Sequence, residues 1–326
     1  MSKSEKEEVA MKAVVVEHFG GLEEVKMADV PKPSPAKGEV LIRIRDAGVN
    51  PVDWKIGEGA LKDKMPHEFP LILGWDAAGE IAEVGEGVKG FKVGDAVFAY
   101  CRKQVVRHGT FAEYIALDAK YAAIKPKSLN FAEAAAIPLV ALTAWQSLFG
   151  FARLKEGDTC FISAGAGGVG SFAIQFAKWK KATVYTTASS NHHGYVKSLG
   201  ADHVIDYNKE DFAEAIMKHE PQGLDVVYDC VGGSTLRASF PLVKKGGSLV
   251  SIVNFNVEEL GKSYPIRTGF VFVAPNGEQL ATIAGLIDQG AIKPAHTEEL
   301  KLEEAVLALK KVKAGHTQGK IVLKVS

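Results

Sequence analysis

The chain has 326 residues, of which 47% are hydrophobic, so it can form two cores and is not a disordered or fibrous protein. Its 39 basic and 39 acidic side chains are interspersed and give a net charge of zero, which argues against nucleic acid or an anionic membrane and favours a small-molecule partner. The three cysteines, Cys101, Cys160 and Cys230, are odd in number and widely separated, which argues against a disulfide framework and fits a reducing compartment such as the cytoplasm.

Five of the first ten residues are charged, and they precede the first apolar segment. They lack both the apolar stretch of a signal peptide and the acid-poor, arginine-rich composition of a transit peptide. We expect residues 1–10 to form a disordered leader, with folded structure beginning near Met11. Apolar runs in the chain are shorter than the roughly 20 residues that cross a bilayer, so we expect no membrane span.

After the leader come short segments in which apolar and polar residues alternate, as in Val40–Ile44. Turns that contain glycine, such as Lys37-Gly38, separate these segments. The pattern predicts a compact, antiparallel, barrel-like domain. A helical run, Phe131–Ile137, is interrupted at Pro138 and indicates a domain boundary near that residue.

Beyond this boundary, apolar strands alternate regularly with helices. In chain order the predicted elements are strand 160–162, helix 169–179, strand 183–185, helix 195–199, strand 203–205, helix 211–218, strand 224–228, helix 234–243 and strand 248–253. Such alternation predicts an α/β domain whose parallel sheet carries helices on both faces. A last helix (277–289) and strand (320–325) are expected to complete the first domain, which then comprises residues 11–138 and 275–326, with 139–274 as the second.

A glycine-rich turn, G-x-G-x-x-G, follows the strand at Cys160–Ile162 and precedes an amphipathic helix. Gly165 lets the chain turn, Gly167 removes a side chain where a pyrophosphate approaches, and Gly170 lets helix and strand pack closely. The helix N-terminus offers free N–H groups to the phosphates. We expect cofactor contacts from Gly165, Ala166, Gly167, Gly168, Val169 and Gly170.

The end of the next strand predicts NADPH rather than NADH. Enzymes that bind NAD present an acidic residue there for the ribose hydroxyls, whereas none occurs here before Asp202. Ser189 and Ser190 are uncharged and leave room for a 2′-phosphate. The candidate cationic partners are His192, His193 and Lys197. The two histidines fit equally well as the start of a surface helix.

Three segments together resemble the medium-chain dehydrogenase/reductase superfamily: residues 48–55, 74–81 with 93–95, and 164–170. The resemblance covers nearly the whole chain and is closest to the zinc-free quinone oxidoreductases. The segment Asn50–Lys55 is similar to that of plant chloroplast-envelope quinone oxidoreductase homologues and of enone and alkenal reductases. This implies an α/β fold with a GroES-like β-barrel catalytic domain and a doubly wound Rossmann domain. It also implies a homodimer, for which we expect Ser248–Val253 as the edge strand.

The resemblance also bears on metal content. In zinc alcohol dehydrogenases a cysteine stands where this chain has Asn50, and a His-Glu pair stands where it has Trp75 and Asp76. Zinc requires thiolate or imidazole ligands in tetrahedral array, and neither Asn50 nor Trp75 provides one. We expect NADPH as the cofactor, with no zinc and no flavin.

Further cofactor contacts are implied by the resemblance alone, at Thr143, Tyr207, Val253, Asn254, Phe270, Phe272 and Lys320. Thr143, Val253 and the two phenylalanines suit packing positions equally well. Two positions depart from the family pattern. His192 stands where quinone reductases commonly have Lys or Arg for the 2′-phosphate, and Lys55 stands where several have tyrosine.

Without a metal to stabilise an alkoxide, the expected hydride acceptors are those that delocalise charge, a quinone or an α,β-unsaturated carbonyl. Lys55 is the candidate proton donor, presented by the turn that carries Asn50 and Asp53. Lys55 fits equally well as an exposed loop lysine. Asp53 either orients Lys55 or the nicotinamide ribose, or caps the turn after Pro51. The alternative function is NADPH binding with little turnover in a structural or trafficking role.

Overall fold

The computed structural model describes residues 9–315 and 318–326, and it divides into two compact units. The first comprises the chain up to Leu139 together with Pro275–Asp288 and His296–Ser326, and the second comprises Val140–Ala274 and Gln289–Ala295. Residues 1–8 of the predicted leader lie outside the described residues, and Ala10 already belongs to the first strand. In the described residues no helix is long and apolar enough to cross a membrane.

The bounds of the regular elements follow in chain order. The strands are β1 (Ala10–Val16), β2 (Lys26–Pro31), β3 (Glu39–Val49), β4 (Leu71–Ile72), β5 (Asp76–Val84), β6 (Ala96–Tyr100), β7 (Tyr114–Asp118), β8 (Ala122–Ile124), β9 (Thr159–Ile162), β10 (Thr183–Thr187), β11 (His203–Ile205), β12 (Leu224–Asp229), β13 (Val243–Ser251), β14 (Arg267–Phe270), β15 (Thr297–Lys301) and β16 (Lys320–Lys324). The helices are α1 (Pro51–Gly57), α2 (Phe131–Ala135), α3 (Pro138–Trp145), α4 (Gly168–Trp179), α5 (His193–Ser198), α6 (Phe212–His219), α7 (Gly233–Ser239), α8 (Val257–Gly261), α9 (Gly277–Asp288) and α10 (Ala305–Ala314).

The first unit is built around the long strand β3. Its alternating sequence buries Ile42 and Ile44 and exposes Arg43, as a strand with one face on a core requires. β3 pairs antiparallel with β5, β7 and β16 within a seven-stranded sheet. In this register Gly48 lies opposite Asp76, and Val49 lies opposite Ile321. The end of β3 therefore meets the start of β5 and the start of β16.

The second unit is a six-stranded parallel sheet with the order β11-β10-β9-β12-β13-β14. This is the doubly wound order of dinucleotide-binding domains, so the predicted α/β fold class is confirmed. Its core includes Phe161, Val227 and Leu249, one from each of three central strands. In a parallel sheet all strands end at the same edge, and the loops after β9 to β14 share it.

Two details differ from the sequence-based expectations. Residues 289–295 belong to the second unit, where the Gln175 side chain bonds both backbone groups of Lys293, at 2.8 and 3.1 Å. The expected edge strand was also wrong: β13 is internal, and the short β14 pairs with it and forms the edge. The homodimer stays a prediction.

Candidate functional site

The end of β3 holds a buried polar cluster of four side chains, Asn50, Asp53, Asp76 and Lys320. The Asn50 amide donates to Asp76 Oδ2 at 2.9 Å and accepts from the Lys320 ammonium, which also donates to the Val49 carbonyl at 2.7 Å. The other Asp76 oxygen accepts from the Leu139 N–H at 2.8 Å. Lys320, predicted beside the cofactor, therefore uses its hydrogen bonds within the first unit.

Burial controls the charges of this cluster. Loss of water around the carboxyls raises the pKa of Asp76 to about 6 and that of Asp53 to about 8, although Lys320 and hydrogen bonds from Asn50 oppose the shifts. The same desolvation lowers the pKa of Lys320. Lys320 and Asp76 form an ion pair with 3.9 Å between Nζ and Oδ2, and burial shifts Asp53 toward its protonated form.

Asp53 caps the helix that presents Lys55. Its Oδ2 accepts from the Asn50 N–H at 2.7 Å, which satisfies one free donor at the start of α1, while its Oδ1 is buried without a hydrogen bond. Of the predicted roles for Asp53, the structure contains the capping contact. In the described part of the chain no hydrogen bond joins Asp53 to Lys55.

Lys55 is half-buried on α1, and its ammonium lies 5.5 Å from the centre of the Trp54 ring. The Lys313 ammonium lies 5.0 Å from the same ring and forms an ion pair with Glu58. Desolvation lowers the pKa of Lys55 from its ordinary value. Lys55 is thus neither buried in the polar cluster nor a fully solvated loop lysine, and a lowered pKa suits a proton donor.

In the second unit the glycine-rich turn joins β9 to α4, as predicted. The Gly165 N–H bonds to the Thr187 carbonyl at 3.0 Å, and the Ala164 N–H bonds to the Thr187 hydroxyl at 3.1 Å, which fixes the turn against the end of β10. Gly167 directly precedes α4, whose first N–H groups lie at Gly168 and after. The turn therefore leads into the N-terminus of a twelve-residue helix.

Glycine serves a different purpose at each of the three positions of the motif. A Cβ on Gly165 would collide with the Thr186 hydroxyl, and one on Gly170 would collide with the Ala164 carbonyl and lie 2.8 Å from the Gly165 Cα. Gly167 differs, because a Cβ there would meet only the Ala164 carbonyl, at 3.4 Å. Packing within the chain requires glycine at positions 165 and 170. At position 167 the absence of a side chain instead leaves open space beside the helix N-terminus. Open space of this kind beside a helix N-terminus is what the pyrophosphate of a dinucleotide requires.

The ends of β10 and β11 bring charged and hydroxyl side chains together. The Ser189 hydroxyl lies 3.2 Å from His192 Nδ1, and the Ser190 hydroxyl donates to Asp206. The Lys209 ammonium donates to the Ser190 hydroxyl at 2.7 Å. Tyr207, predicted beside the adenosine phosphate, is exposed at this edge. An acidic side chain therefore does lie beside Ser190, which the sequence-based argument for NADPH had not anticipated.

The loops after β12 and β13 are tied together by Asp229, whose Oδ2 accepts from the Ser251 hydroxyl at 2.7 Å and whose Oδ1 accepts from two N–H groups of its own loop. The Ser251 hydroxyl in turn accepts from the N–H groups of Val253 and Asn254, at 3.3 and 3.1 Å. This network holds the backbone at two of the predicted cofactor positions.

The three remaining predicted cofactor positions are Phe270, Phe272 and Thr143. Phe270 ends β14, with its ring 4.2 Å from that of Phe255 and 6.4 Å from that of Phe272, which is exposed. Thr143 lies on α3 and is buried. The predicted cofactor residues of the second unit, Thr143 apart, thus lie at or beyond the carboxyl ends of parallel strands, where doubly wound domains bind ligands.

Sequence reasoning missed Asp206, Lys209 and Asp229 as parts of this edge. Asp206 lies 16 residues from Ser190, and the contact depends on the pairing of β10 with β11, in which Thr187 lies opposite Ile205. Their location in the sequence could have indicated this for the two aspartates. Asp206 and Asp229 each follow a predicted strand, and polar side chains at the ends of parallel strands meet at one edge of the sheet.

Two family patterns match the chain, the alcohol dehydrogenase GroES-like domain over residues 36–127 and the zinc-binding dehydrogenase family over residues 199–323. The second description names zinc. In the described residues, however, no group of three or more His, Cys, Asp or Glu side chains is placed to hold a metal ion. Asn50, where the resemblance implies that zinc alcohol dehydrogenases have a cysteine, donates to Asp76 and accepts from Lys320 through its side-chain amide.

Relatives match over most of their length. A chloroplast envelope quinone oxidoreductase homolog of Arabidopsis thaliana is 33% identical, covering 93% of this chain and 95% of the relative. A 2-methylene-furan-3-one reductase of Solanum lycopersicum is 36% identical, covering 96% of this chain and 79% of the relative. The structure of Escherichia coli quinone oxidoreductase complexed with NADPH matches with a TM-score of 0.85 at 27% identity, covering 96% of this chain and all (100%) of that one. The chain therefore belongs to the quinone oxidoreductase group of the medium-chain dehydrogenase/reductase superfamily, an NAD(P)H-dependent family of quinone and enone oxidoreductases, as its motifs predicted.

Proposed function

We propose that the chain is a zinc-independent, NADPH-dependent reductase that transfers hydride to quinones or to α,β-unsaturated carbonyls. The observation that carries the proposal is the Asn50 amide, bonded on both sides by Asp76 and Lys320 at the position of a zinc ligand in related dehydrogenases. An amide in this state offers no ligand to zinc. Acceptors whose product anion is delocalised, a hydroquinone anion or an enolate, need the least stabilisation from the protein.

The second unit binds the cofactor in this proposal. The open space at Gly167 and the N-terminus of α4 receive the pyrophosphate, and Ser189 and Ser190 face the adenosine ribose. The backbone held by Ser251 at Val253 and Asn254 receives the nicotinamide amide. NADPH, when bound, supplies the hydride. Phe270 and Phe272 exclude water from the reacting ring.

The first unit orients the acceptor. The Lys55 ammonium polarises the acceptor carbonyl and gives up its proton to the oxygen that becomes negative as hydride arrives. Its lowered pKa makes this transfer easier than from an ordinary lysine. Asn50 and Asp53 act as positioning residues, because their contact fixes the start of the helix on which Lys55 lies.

The overall reaction is tested by NADPH oxidation with purified, chelator-treated protein. An ortho-quinone and a medium-chain enone are offered separately, with NADH in parallel. We expect turnover with at least one acceptor, faster with NADPH and unchanged by chelation. Tight NADPH binding without turnover would contradict the proposal and favour the alternative, a binding protein with a structural or trafficking role. Loss of turnover on chelation would contradict zinc independence.

Replacing Lys55 with methionine is expected to lower kcat/KM for the acceptor about 100-fold, the usual scale of general acid catalysis, with NADPH affinity unchanged. Methionine keeps most of the half-buried stem and removes only the ammonium. Lys62→Met, on an exposed position of the same unit, is the matched control and should leave turnover within twofold. Lys55→Arg should restore polarisation of the carbonyl but not proton transfer. Equal rates for Lys55→Met and the control would assign Lys55 a surface role.

A further inference from the structure

A triad of Ser190, Asp206 and Lys209 forms where β10 and β11 end, and we call it the Ser190 triad. The Lys209 ammonium donates to the Ser190 hydroxyl at 2.7 Å and lies 3.4 Å from Asp206 Oδ2, and Ser190 in turn donates to the same carboxyl oxygen. The triad lies one strand away from the glycine-rich turn, which is itself bonded to the end of β10 through Thr187. Its place is that of the adenosine ribose in a doubly wound domain.

The two charges of the triad face different surroundings. The Asp206 side chain is only 5% exposed, and its other oxygen accepts from the Asn208 N–H at 3.0 Å. These hydrogen bonds, with that from Ser190 the largest, lower the pKa of Asp206 to about 2, so it is ionised at neutral pH. The Lys209 side chain is 70% exposed. The carboxylate is therefore directed inward, toward Ser190 and Asn208, and the ammonium outward.

This arrangement decides between two interpretations of an acidic residue at the ribose site. An acid that serves NAD presents free oxygens to the ribose hydroxyls, whereas the oxygens of Asp206 are already bonded to Ser190, Lys209 and the Asn208 N–H. The group left facing solvent is the ammonium, which attracts a phosphate. His192, one of the three candidate partners expected from the sequence, lies 3.2 Å from the Ser189 hydroxyl through Nδ1.

We propose that Lys209 recognises the 2′-phosphate of NADPH and that Asp206 is a positioning residue, which holds Lys209 and Ser190 toward it. The inference rests on the proposed function and names the residue that selects its cofactor. Asp206 does not contact the phosphate. Its buried charge keeps the ammonium at the ribose site, and the ammonium in turn shields the incoming phosphate from that charge.

The test is binding rather than turnover, by calorimetry of the intact protein with 2′,5′-ADP and with 5′-AMP, two probes that differ in the 2′-phosphate. Lys209→Met should weaken 2′,5′-ADP at least tenfold and change 5′-AMP less than twofold, since one charge-assisted contact is lost. Lys218→Met, at an exposed position of α6, should change neither. Because Lys209 is exposed, the effect should shrink as salt rises.

Adding Asp206→Asn to Lys209→Met tests the positioning role. The double variant should recover part of the affinity for 2′,5′-ADP, because the carboxylate left unopposed by Lys209→Met would repel the phosphate. Equal weakening of both probes by Lys209→Met, or no weakening of either, would overturn the proposal. So would a wild-type protein that binds both probes equally. In that case hydride transfer from NADH to a quinone or enone would show that the reductase function stands without it.

Discussion

Replacing Lys320 with methionine is expected to lower the free energy of unfolding by about 3–5 kcal/mol at pH 8, the usual cost of leaving one charge of a buried pair alone. Methionine preserves the length of the side chain but leaves the Asp76 carboxylate without its ammonium partner. It also removes the donor to the Val49 carbonyl and to the Asn50 amide oxygen. Lys324→Met, at an exposed position of the same strand, is the control and should cost less than about 0.5 kcal/mol.

The sign of the pH dependence follows from the raised pKa of Asp76. A carboxyl whose folded pKa is about 6, against 3.8 in the unfolded chain, binds more protons when folded, so its contribution to stability falls as pH rises from about 4 to 6. Without Lys320, the pKa of Asp76 in the folded protein rises further. The decrease in its contribution to the free energy of unfolding then extends to higher pH. Urea unfolding at pH 5 and pH 8 should therefore show that Lys320→Met lowers the free energy of unfolding less at pH 5 than at pH 8. A loss of equal size at both values would contradict an ionised Asp76.

Replacing Gly167 with alanine is expected to weaken NADPH binding roughly 100-fold while leaving the free energy of unfolding within about 0.5 kcal/mol of the original. The backbone at Gly167, with φ −75° and ψ 168°, accepts any residue, and the added methyl group meets only the Ala164 carbonyl at 3.4 Å. The methyl group would instead occupy the space proposed for the pyrophosphate. Affinity is measured from the change in nicotinamide fluorescence on titration.

Gly170→Ala is the matched comparison, because its methyl group would collide with the backbone of Ala164 and Gly165. We expect it to destabilise the folded protein by about 1–3 kcal/mol, as overpacking usually does. The two variants separate space kept for a ligand from space needed by the fold. Normal NADPH affinity in Gly167→Ala would place the pyrophosphate elsewhere.

The parallel sheet of the second unit could be predicted because each strand from β9 to β12 is a short apolar run followed by a helical segment. β14 was missed because its four residues, Arg-Thr-Gly-Phe, contain no apolar run and become a strand only by pairing with β13. The glycine-rich turn carried its own strand and helix context in the sequence, and for that reason it was placed correctly.

The buried polar cluster could be predicted only in part. The resemblance to a known family singled out Asn50, Asp53 and Lys320. The sequence placed Asn50 and Asp53 on one turn, but composition and spacing gave no sign that Lys320 and Asp76 lie beside them. Asn50 and Lys320 are 270 residues apart, and Asp76 is 26 residues from Asn50. Their contact is set by the register of β3 with β5 and β16, which short-range sequence patterns do not encode. Lys209 was missed for the same reason.

The pairing of β16 with β3 sets an order for folding during synthesis. The second unit is nearly continuous in sequence, so its sheet can form while the last part of the chain is still being made. The seven-stranded sheet of the first unit cannot be completed then, because its strand β3 has no β16 beside it and the carboxyl group of Asp76 has no Lys320. Until the last residues emerge, an acidic side chain in the growing core must stay hydrated or hold a proton. Of the two units, the one that contributes the earlier residues is thus the later to complete its sheet.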